Sequence, residues 1–472
     1  MSQVTDTELM GVRSRKSEQL AFAWGEEGTA LQIREEGSRT PAAPREHPPR
    51  VTDLMEQIIA PDNMRRALRR VRSNKGAAGV DGMTVDDLTP YLVRQWATIK
   101  DLLLTSRYQP QPVKRVDIPK PSGGLRSLGI PTVTDRVIQQ AVLQILEPLY
   151  DPTFSPSSYG FRPGKSAHQA LTAARQHVAD GYGIVVDMDL EKFFDRVNHD
   201  KLMTLLAQRI GDKRVLKLIR LFLQAGMLLN GVVTERHEGA PQGGPLSPLL
   251  SNILLNELDT ELTRRGHRFC RYADDCNIYV RSPQAGARVM ASLTRWLDHR
   301  LHLRVNAEKS GVARSHERKF LGMRIVKVGG KATIAVAPVS LQRLKEKIRR
   351  ITQRQRGISL QRLLEELNTA TMGWVQYFHL AAMKKYLHAL DKWIRRRIRC
   401  FIWKQWKTWR NRVNHLLAAG IGPWLAYGTA SGKHGLWKVA GSPALTRSLP
   451  NAALTELGLK SLLERYQSLQ AC

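Results

Sequence analysis

Long apolar runs are missing from this chain. None of its 472 residues opens a stretch of eighteen uninterrupted apolar side chains, so no membrane span is expected. The first residues lack the basic-then-apolar pattern of a secretory leader, and work in the cytoplasm is the expectation. Cysteine is scarce. The four residues Cys270, Cys276, Cys400 and Cys472 contain no CxxC pair, which excludes a disulfide scaffold and argues against structural zinc. Acidic residues are also few: 42 Asp+Glu face 73 Lys+Arg, a formal net charge of +31. A small neutral substrate gives such a charge no use, whereas a polyanion does, most simply nucleic acid.

Hydrophobic residues make up 42% of the chain, enough for a sizeable core, and the length suits two to four domains. Residues 1–50 carry seven basic and eight acidic side chains and end in the Pro-rich TPAAPREHPPR, so a disordered N-terminal extension is expected there. The rest of the chain then holds +32. Residues 53–72 read as helix interrupted at Pro61, and Asn74 to Gly82 as a Gly-rich loop. Residues 134–149 read as an amphipathic helix with Ile138, Ala141, Val142, Ile145, Leu146 and Leu149 on one face and Thr134 or Asp135 as cap. In 184–190 (IVVDMDL) alternation puts Val185, Asp187 and Asp189 on one face of a strand and Ile184, Val186, Met188 and Leu190 on the other. Residues 268–280 read as a hairpin with Asp274-Asp275 at its turn, and the pattern is all-helical from about 341 to about 418. Helices and strands mix without βαβ regularity, which indicates α+β with an antiparallel, palm-like sheet.

Asp189 at a strand end and Asp274-Asp275 at a hairpin tip are, one by one, ordinary caps and turn formers. Brought together they would repel one another unless cations sat between them. Mg²⁺, which takes one or two carboxylates plus substrate phosphates, is the natural counter-charge. Two such ions can activate a 3′-hydroxyl and stabilise a leaving pyrophosphate.

An ordered set of motifs surrounds these carboxylates: KPSGGLRSLGIP (Lys120 to Pro131), YGFRPGKSAHQA (Tyr159 to Ala170), DLEKFFD (Asp189 to Asp195), PQGGPLSPLLSNILLNELD (Pro241 to Asp259), YADD (Tyr272 to Asp275), LRVNAEKS (Leu303 to Ser310) and FLGMRI (Phe320 to Ile325). Their order and wording resemble the group II intron-encoded reverse transcriptases, or maturases, over roughly residues 51–466. The resemblance implies a right-hand polymerase fold, with fingers and palm on an antiparallel sheet followed by an all-helical thumb. It divides the chain into an N-terminal reverse-transcriptase extension (51–110), fingers and palm (111–335), thumb or domain X (336–420) and a DNA-binding-like C-terminal segment (421–472). It implies Asp189, Asp274, Asp275 and the Leu190 backbone carbonyl as ligands of two Mg²⁺ ions, with Mn²⁺ able to substitute. Asp187 and Asp195 fall off the motif's metal position and are given structural roles. Lys309 matches a proton donor to pyrophosphate, with a plain phosphate-binding or surface lysine as the alternative.

For the incoming dNTP the resemblance implies Lys120 and Arg126 on its triphosphate, Phe194 under its sugar as a gate against the ribose 2′-hydroxyl, and Gln242 and Ala273 beside it. Phe193 or Phe194 is otherwise simply core. Phe320, Leu321 and Gly322 match a primer-gripping hairpin, with core packing as the alternative. Residues 341–412 carry nineteen basic and four acidic side chains, Arg395-Arg396-Arg397 and several Trp among them. The GWVQYF run containing Trp374 resembles the domain X signature, so an RNA- and primer-binding surface is expected here. Expected partners are intron RNA, primer or target DNA and dNTPs, with a homodimer left open and no membrane, in a bacterial cytoplasm or nucleoid. No paired Cys with a His cluster follows the thumb, so no HNH nuclease is expected, as in group IIC-like relatives. A binding-only maturase, a defence or retron reverse transcriptase and an RNA-making polymerase are the competing readings. Intact DLEKFFD and YADD weigh against the first, the domain X signature against the second, and Phe194 against the third.

Overall fold

Proline at the first position of a helix loses nothing, because that N–H has no partner within the helix. Pro61 uses this: it ends one helix, Leu54–Ile59, and opens the next, Pro61–Ser73. The structure, a computed structural model, describes residues 50–119, 123–229, 232–234 and 238–471, all within one compact unit spanning Pro48–Cys472. The expectation for the N-terminal extension lies outside these residues except at Arg50.

Ten strands are described: β1 Val113–Pro119, β2 Leu125–Ile130, β3 Ile184–Met188, β4 Met227–Leu229, β5 Val232–Thr234, β6 Arg268–Tyr272, β7 Asp275–Val280, β8 Gly311–Arg314, β9 Met323–Val328 and β10 Lys331–Val336. They form a sheet of order β2-β1-β4-β5, a central sheet of order β6-β7-β3-β8, and the β9–β10 hairpin. The central sheet and the hairpin are antiparallel. The first sheet departs from that expectation, because β1 and β4 run parallel.

Alternation along β3 gives the central sheet two different cores. Val186, Met188, Ile278 and Cys276 face a cluster built with helices Val133–Tyr150, His199–Ala207, Lys213–Gln224 and Ser247–Arg264. Val185 and Tyr279 face a second cluster, shared with helix Ala167–Ala179, the β9–β10 hairpin and the helices that follow. The sheet is therefore the wall between two cores, and its polar edge residues emerge where the second core ends.

The helix expected at 134–149 runs Val133–Tyr150, and its cap is Thr132 rather than Thr134 or Asp135. Thr132 Oγ1 accepts from the Asp135 N–H at 3.1 Å. Asp135 is instead a buried hub that accepts from Thr132 Oγ1, the Tyr108 hydroxyl and the Gln111 N–H.

Helices begin at Pro338 and continue to Ala471. Helices Pro338–Ile351, Leu360–Phe378 and Lys384–Gln405 belong to the second core. Residues 413–445 gather a small third core around Val413, Leu416, Ala426 and Leu445. The last helix, Leu462–Ala471, then packs back onto the second core. The Asp391 carboxylate accepts from the Leu462 and Leu463 N–H groups and the Ser461 hydroxyl, occupying the start of that helix with negative charge.

Candidate active site and nucleic-acid interface

The register of β3 against β7 places the carboxylates. Val185 lies opposite Tyr279, Asp187 opposite Asn277 and Met188 opposite Cys276. Continued by one residue, the same antiparallel register sets Asp189 across from Asp275, on the sheet face that carries Asp187. Tyr272 pairs with Asp275, so the turn between β6 and β7 is only Ala273-Asp274. Asp275 is thus the first residue of β7 rather than part of the turn, and Asp274 is the acidic residue of the turn itself.

Backbone bonds fix the Asp189 end as well. Its N–H donates to Ser310 Oγ at 2.9 Å, and its carbonyl accepts from the Asn306 N–H at 2.8 Å. The Glu191 N–H donates to the Arg304 carbonyl, and Leu190 bridges Val305. Asp189 and Glu191 make the bonds to the 304–306 segment, so alternation turns the Leu190 carbonyl the other way, towards the side of β7. Lys309 Nζ lies 3.7 Å from Asp189 Oδ2, and both side chains are well exposed.

The electrostatics show that these carboxylates interact. Burial, then the charges of Asp187, Asp274 and Asp189, push the Asp275 carboxyl up to about 8. Asp187 is pushed up to about 6, chiefly by burial and further by Asp189, with Arg318 at 3.6 Å opposing. A cluster of oxygen donors whose members resist ionisation beside one another is the donor set a hard divalent cation stabilises. Among the described residues no three His, Cys, Asp or Glu side chains already close around a common point. The carboxylates fit an open site completed by substrate phosphates rather than a protein cage.

The turn is held by a residue the motif reading passed over. Arg271, on β6, is completely buried and uses its whole guanidinium fork. It donates to both carboxylate oxygens of Asp259, to Asn252 Oδ1 at 3.0 Å, to Ser158 Oγ at 2.7 Å and to the Ala273 carbonyl at 2.9 Å. Ala273 itself takes a positive φ of 58°, which costs an L-residue roughly 1 kcal/mol and must be enforced. Gly160 supplies the other constraint. A Cβ there would stand 2.3 Å from the Ala273 nitrogen, and the Gly160 carbonyl accepts from Asn252 at 2.9 Å. Both glycine and arginine lay in quoted motifs or beside them. The available signal was an Arg between Cys270 and Tyr272, three residues before Asp274.

Past Leu190 the chain leaves the strand: Lys192 is left-handed and Phe193–Asp195 form a 3₁₀ turn. Phe193 is core and Phe194 half-buried, with their rings 5.2 Å apart edge to face. This turn is what sends one ring into the core and leaves the other half-exposed. The Phe194 carbonyl accepts from the Ala240 N–H, and the Gln242 carbonyl accepts from the Gly129 N–H of β2. Phe194, the Gln242 loop and β2 are therefore knitted together. Arg126 lies on β2, but nothing of its side chain is described, and Lys120 lies outside the described residues.

Phe320 is buried, while Leu321 and Gly322 form a tight turn closed by reciprocal Phe320–Met323 backbone bonds. Tyr377 Oη donates to the Leu321 carbonyl at 3.0 Å and Ser340 Oγ to the Gly322 carbonyl at 2.8 Å. These contacts dock the turn into a groove of about 1100 Å³ that Leu321, Gly322 and Trp374 all line. Arg343, Lys347 and Arg350 stand on one wall at helical spacing. Tyr272, which precedes the acidic turn, packs against the same second core as Trp374 and Phe378 of the groove wall.

The arginine triplet does not form one open patch. Arg396 donates twice to the Trp437 carbonyl and sits 4.5 Å over its ring. Arg397 donates to Thr352 Oγ1 and the Arg349 carbonyl and stacks on Trp393. All three side chains are half-buried, and two of them hold neighbouring elements together. The expectation of a surface triplet reading RNA overlooked that helix Lys384–Gln405 is packed on several sides.

A central antiparallel sheet bearing coupled carboxylates, with a basic groove beside it, defines a nucleic-acid polymerase. Residues 118–325 match the family model of reverse transcriptase (RNA-dependent DNA polymerase), and residues 341–419 that of the group II intron, maturase-specific domain. The chain belongs to the reverse transcriptases of the group II intron type, as the motif resemblance implied.

It is 34% identical to protein YkfC of Escherichia coli (strain K12) over 319 residues, 59% of this chain and 84% of that protein. It is 39% identical to the group II intron-encoded protein LtrA of Lactococcus lactis subsp. cremoris over 223 residues, 47% of this chain but 37% of LtrA. A 91 kDa protein in the cob intron of Schizosaccharomyces pombe is 35% identical over 193 residues, 41% of this chain and 24% of that protein. A partial Cas6-RT-Cas1–Cas2 complex overlaps 52% of this chain and 42% of its own at 27% identity, with a TM-score of 0.35. No helix among the described residues is long and apolar enough to cross a membrane.

Proposed function

We propose that this chain copies intron RNA into cDNA from a DNA primer, and that it binds the folded intron RNA to assist splicing and retromobility. The observation that carries this reading is the β3–β7 register, which sets Asp189 across from Asp275 with Asp274 at the adjoining turn. Asp189, Asp274, Asp275 and the Leu190 carbonyl would hold two Mg²⁺ ions, or Mn²⁺ in their place. When bound, these ions supply charge neutralisation at the attacking hydroxyl and the leaving pyrophosphate.

Lys309, 3.7 Å from Asp189 Oδ2, would give a proton to pyrophosphate, a role its closeness to that carboxylate supports. Lys120 and Arg126 would grip the triphosphate, Phe194 would exclude a ribose 2′-hydroxyl, and Gln242 and Ala273 would border the base pair and primer end. Leu321, Gly322, Trp374 and the basic wall of the groove would take the primer–template duplex. On this reading the chain would divide into an N-terminal reverse-transcriptase extension (51–110), fingers and palm (111–335), a thumb (336–420) and a DNA-binding-like segment (421–472). A bacterial cytoplasm or nucleoid suits these partners.

Primer extension on poly(rA)/oligo(dT) with Mg²⁺ tests the reading. The wild type should extend with dNTPs, and Asp274→Asn should lose roughly 10³-fold or more, the scale of several kcal/mol of charge stabilisation. Activity surviving that substitution overturns the metal assignment. Phe194→Val should admit rNTPs, and unchanged sugar selectivity rejects the gate.

A further inference from the structure

The central sheet has a second charged end. β3 begins at Ile184, about 16 Å from Asp189 at the usual rise of a strand. Beside Ile184 opens a cleft of about 630 Å³, lined among others by Gly183, Arg281, Arg314, Arg324 and Lys327. These four cations come from four separate places: the end of β7, the end of β8, and two positions on β9. Among the described residues no acidic side chain lines the cleft.

Elsewhere in the molecule some surface arginines are paired, as Arg65 is with Asp62 and Arg268 with Asp180. Among the described residues no carboxylate lies within 4 Å of the charged groups of Arg281, Arg314, Arg324 or Lys327. The nearby acids are already engaged. Asp180 holds Arg268, and Glu317 accepts from the Arg314 backbone N–H and lies 3.7 Å from His316. Arg324 Nε is buried with no hydrogen-bond partner, a donor left without an acceptor. Gly183 offers open space above its Cα, so the cleft floor is bare backbone.

Arg281 stacks on Tyr182, 4.9 Å from its ring centroid, and Arg324 Nη1 donates to the His316 carbonyl at 3.5 Å, but among the described residues no carboxylate balances the four cations that line this one cleft, a setting that an anion with several acceptor oxygens stabilises. We infer that this cleft is an exosite for the phosphodiester backbone of RNA lying outside the primer–template duplex. The inference rests on the RNA-binding reading above and names where part of that RNA is held. The thumb groove and the carboxylates serve the duplex being copied. The cleft at the far end of the same sheet serves the rest of the RNA, and tethers it while the copied strand moves.

The test uses the full chain with Arg314→Gln and Lys327→Gln combined, both side chains being exposed. Affinity for a long stem-loop RNA should fall about tenfold. The slope of log K against log salt should shrink by roughly 1.4 to 1.8, two phosphate contacts' worth. Primer extension on a short poly(rA)/oligo(dT) duplex should stay at the wild-type level.

Unchanged RNA affinity and slope overturn the inference. So does an equal loss on the short duplex, which would make the cleft part of the polymerase groove. Stabilisation of the wild type by inorganic phosphate, with RNA affinity unchanged in the variant, assigns the cleft to a small anion and also overturns it. Should the double variant lose its melting transition, Lys327→Gln alone reads the same slope change at half the size. A wild type that neither binds the stem-loop nor extends a primer would instead sink the underlying reading, so the two failures are distinguishable.

Discussion

Palm and thumb use arginine in opposite ways. At the β6–β7 turn Arg271 has no contact with solvent, and its guanidinium serves four partners, one of them the Ala273 carbonyl of the turn that bears Asp274. In the thumb Arg343 and Arg350 line an open groove, and Arg396 and Arg397 lie half-exposed over tryptophan rings. The same side chain is a fully buried strut in one place, whereas in the other it lends charge to a groove at Arg343 and Arg350 and clasps neighbouring elements from a half-exposed position at Arg396 and Arg397. Burial decides which, because a buried charge must be fully paired, whereas an exposed one is screened and replaceable.

The comparison breaks most visibly at Arg271. Arg271→Leu should destabilise the protein by about 3–5 kcal/mol, because it strands the buried Asp259 carboxylate. Chemical denaturation measures this. Arg271→Leu with Asp259→Leu should recover part of the loss, and no recovery would show that the contacts to Ser158 and Ala273 dominate.

Gly160→Ala should come next, at about 1–3 kcal/mol, because its Cβ meets backbone rather than a movable side chain. Primer extension should fall further than stability does, since the displaced group is the turn bearing Asp274. Equal small effects would mean that the turn tolerates a shift.

In the thumb, Arg343→Gln with Lys347→Gln should leave the melting temperature near wild type. It should weaken primer–template binding and lower its salt slope by roughly 0.7–0.9 per lost phosphate contact. Binding across a salt series checks this, and a large stability loss would erase the contrast with Arg271.

The smallest effect belongs to Arg396→Lys, below about 1 kcal/mol, the scale of one exposed cation–π contact. A loss several times larger would make Arg396 a strut like Arg271.

The contrast also explains what could be read from the sequence. Period-two alternation in IVVDMDL was legible, and it correctly separated Val185 and Asp187 from Val186 and Met188. That pattern records which face meets which core. The meeting of DLEKFFD with YADD came from motif order, and only the register turned it into an Asp189–Asp275 pairing. The helix cap at Thr132 was missed because Asp135, a strong capping type, is consumed by Tyr108 and Gln111 from outside its own segment.

The Arg271 hub was missed for the same reason, its partners lying between 2 and 113 residues away in the chain. Charge density marked the thumb as a nucleic-acid surface. It could not tell Arg350, which lines a groove, from Arg397, which props a helix, because both look alike until packing is known. Composition likewise flagged the basic excess without locating the cleft beside Ile184, whose cations come from three strands.

Divalent-ion binding tests the central claim most directly. Mn²⁺ titrated into the full chain with a primer–template duplex and a non-reacting dNTP analogue can be counted by its paramagnetic resonance signal. The wild type should bind two ions, and Asp189→Asn, Asp274→Asn and Asp275→Asn should each lose binding. Retention of both ions by all three variants would contradict the account.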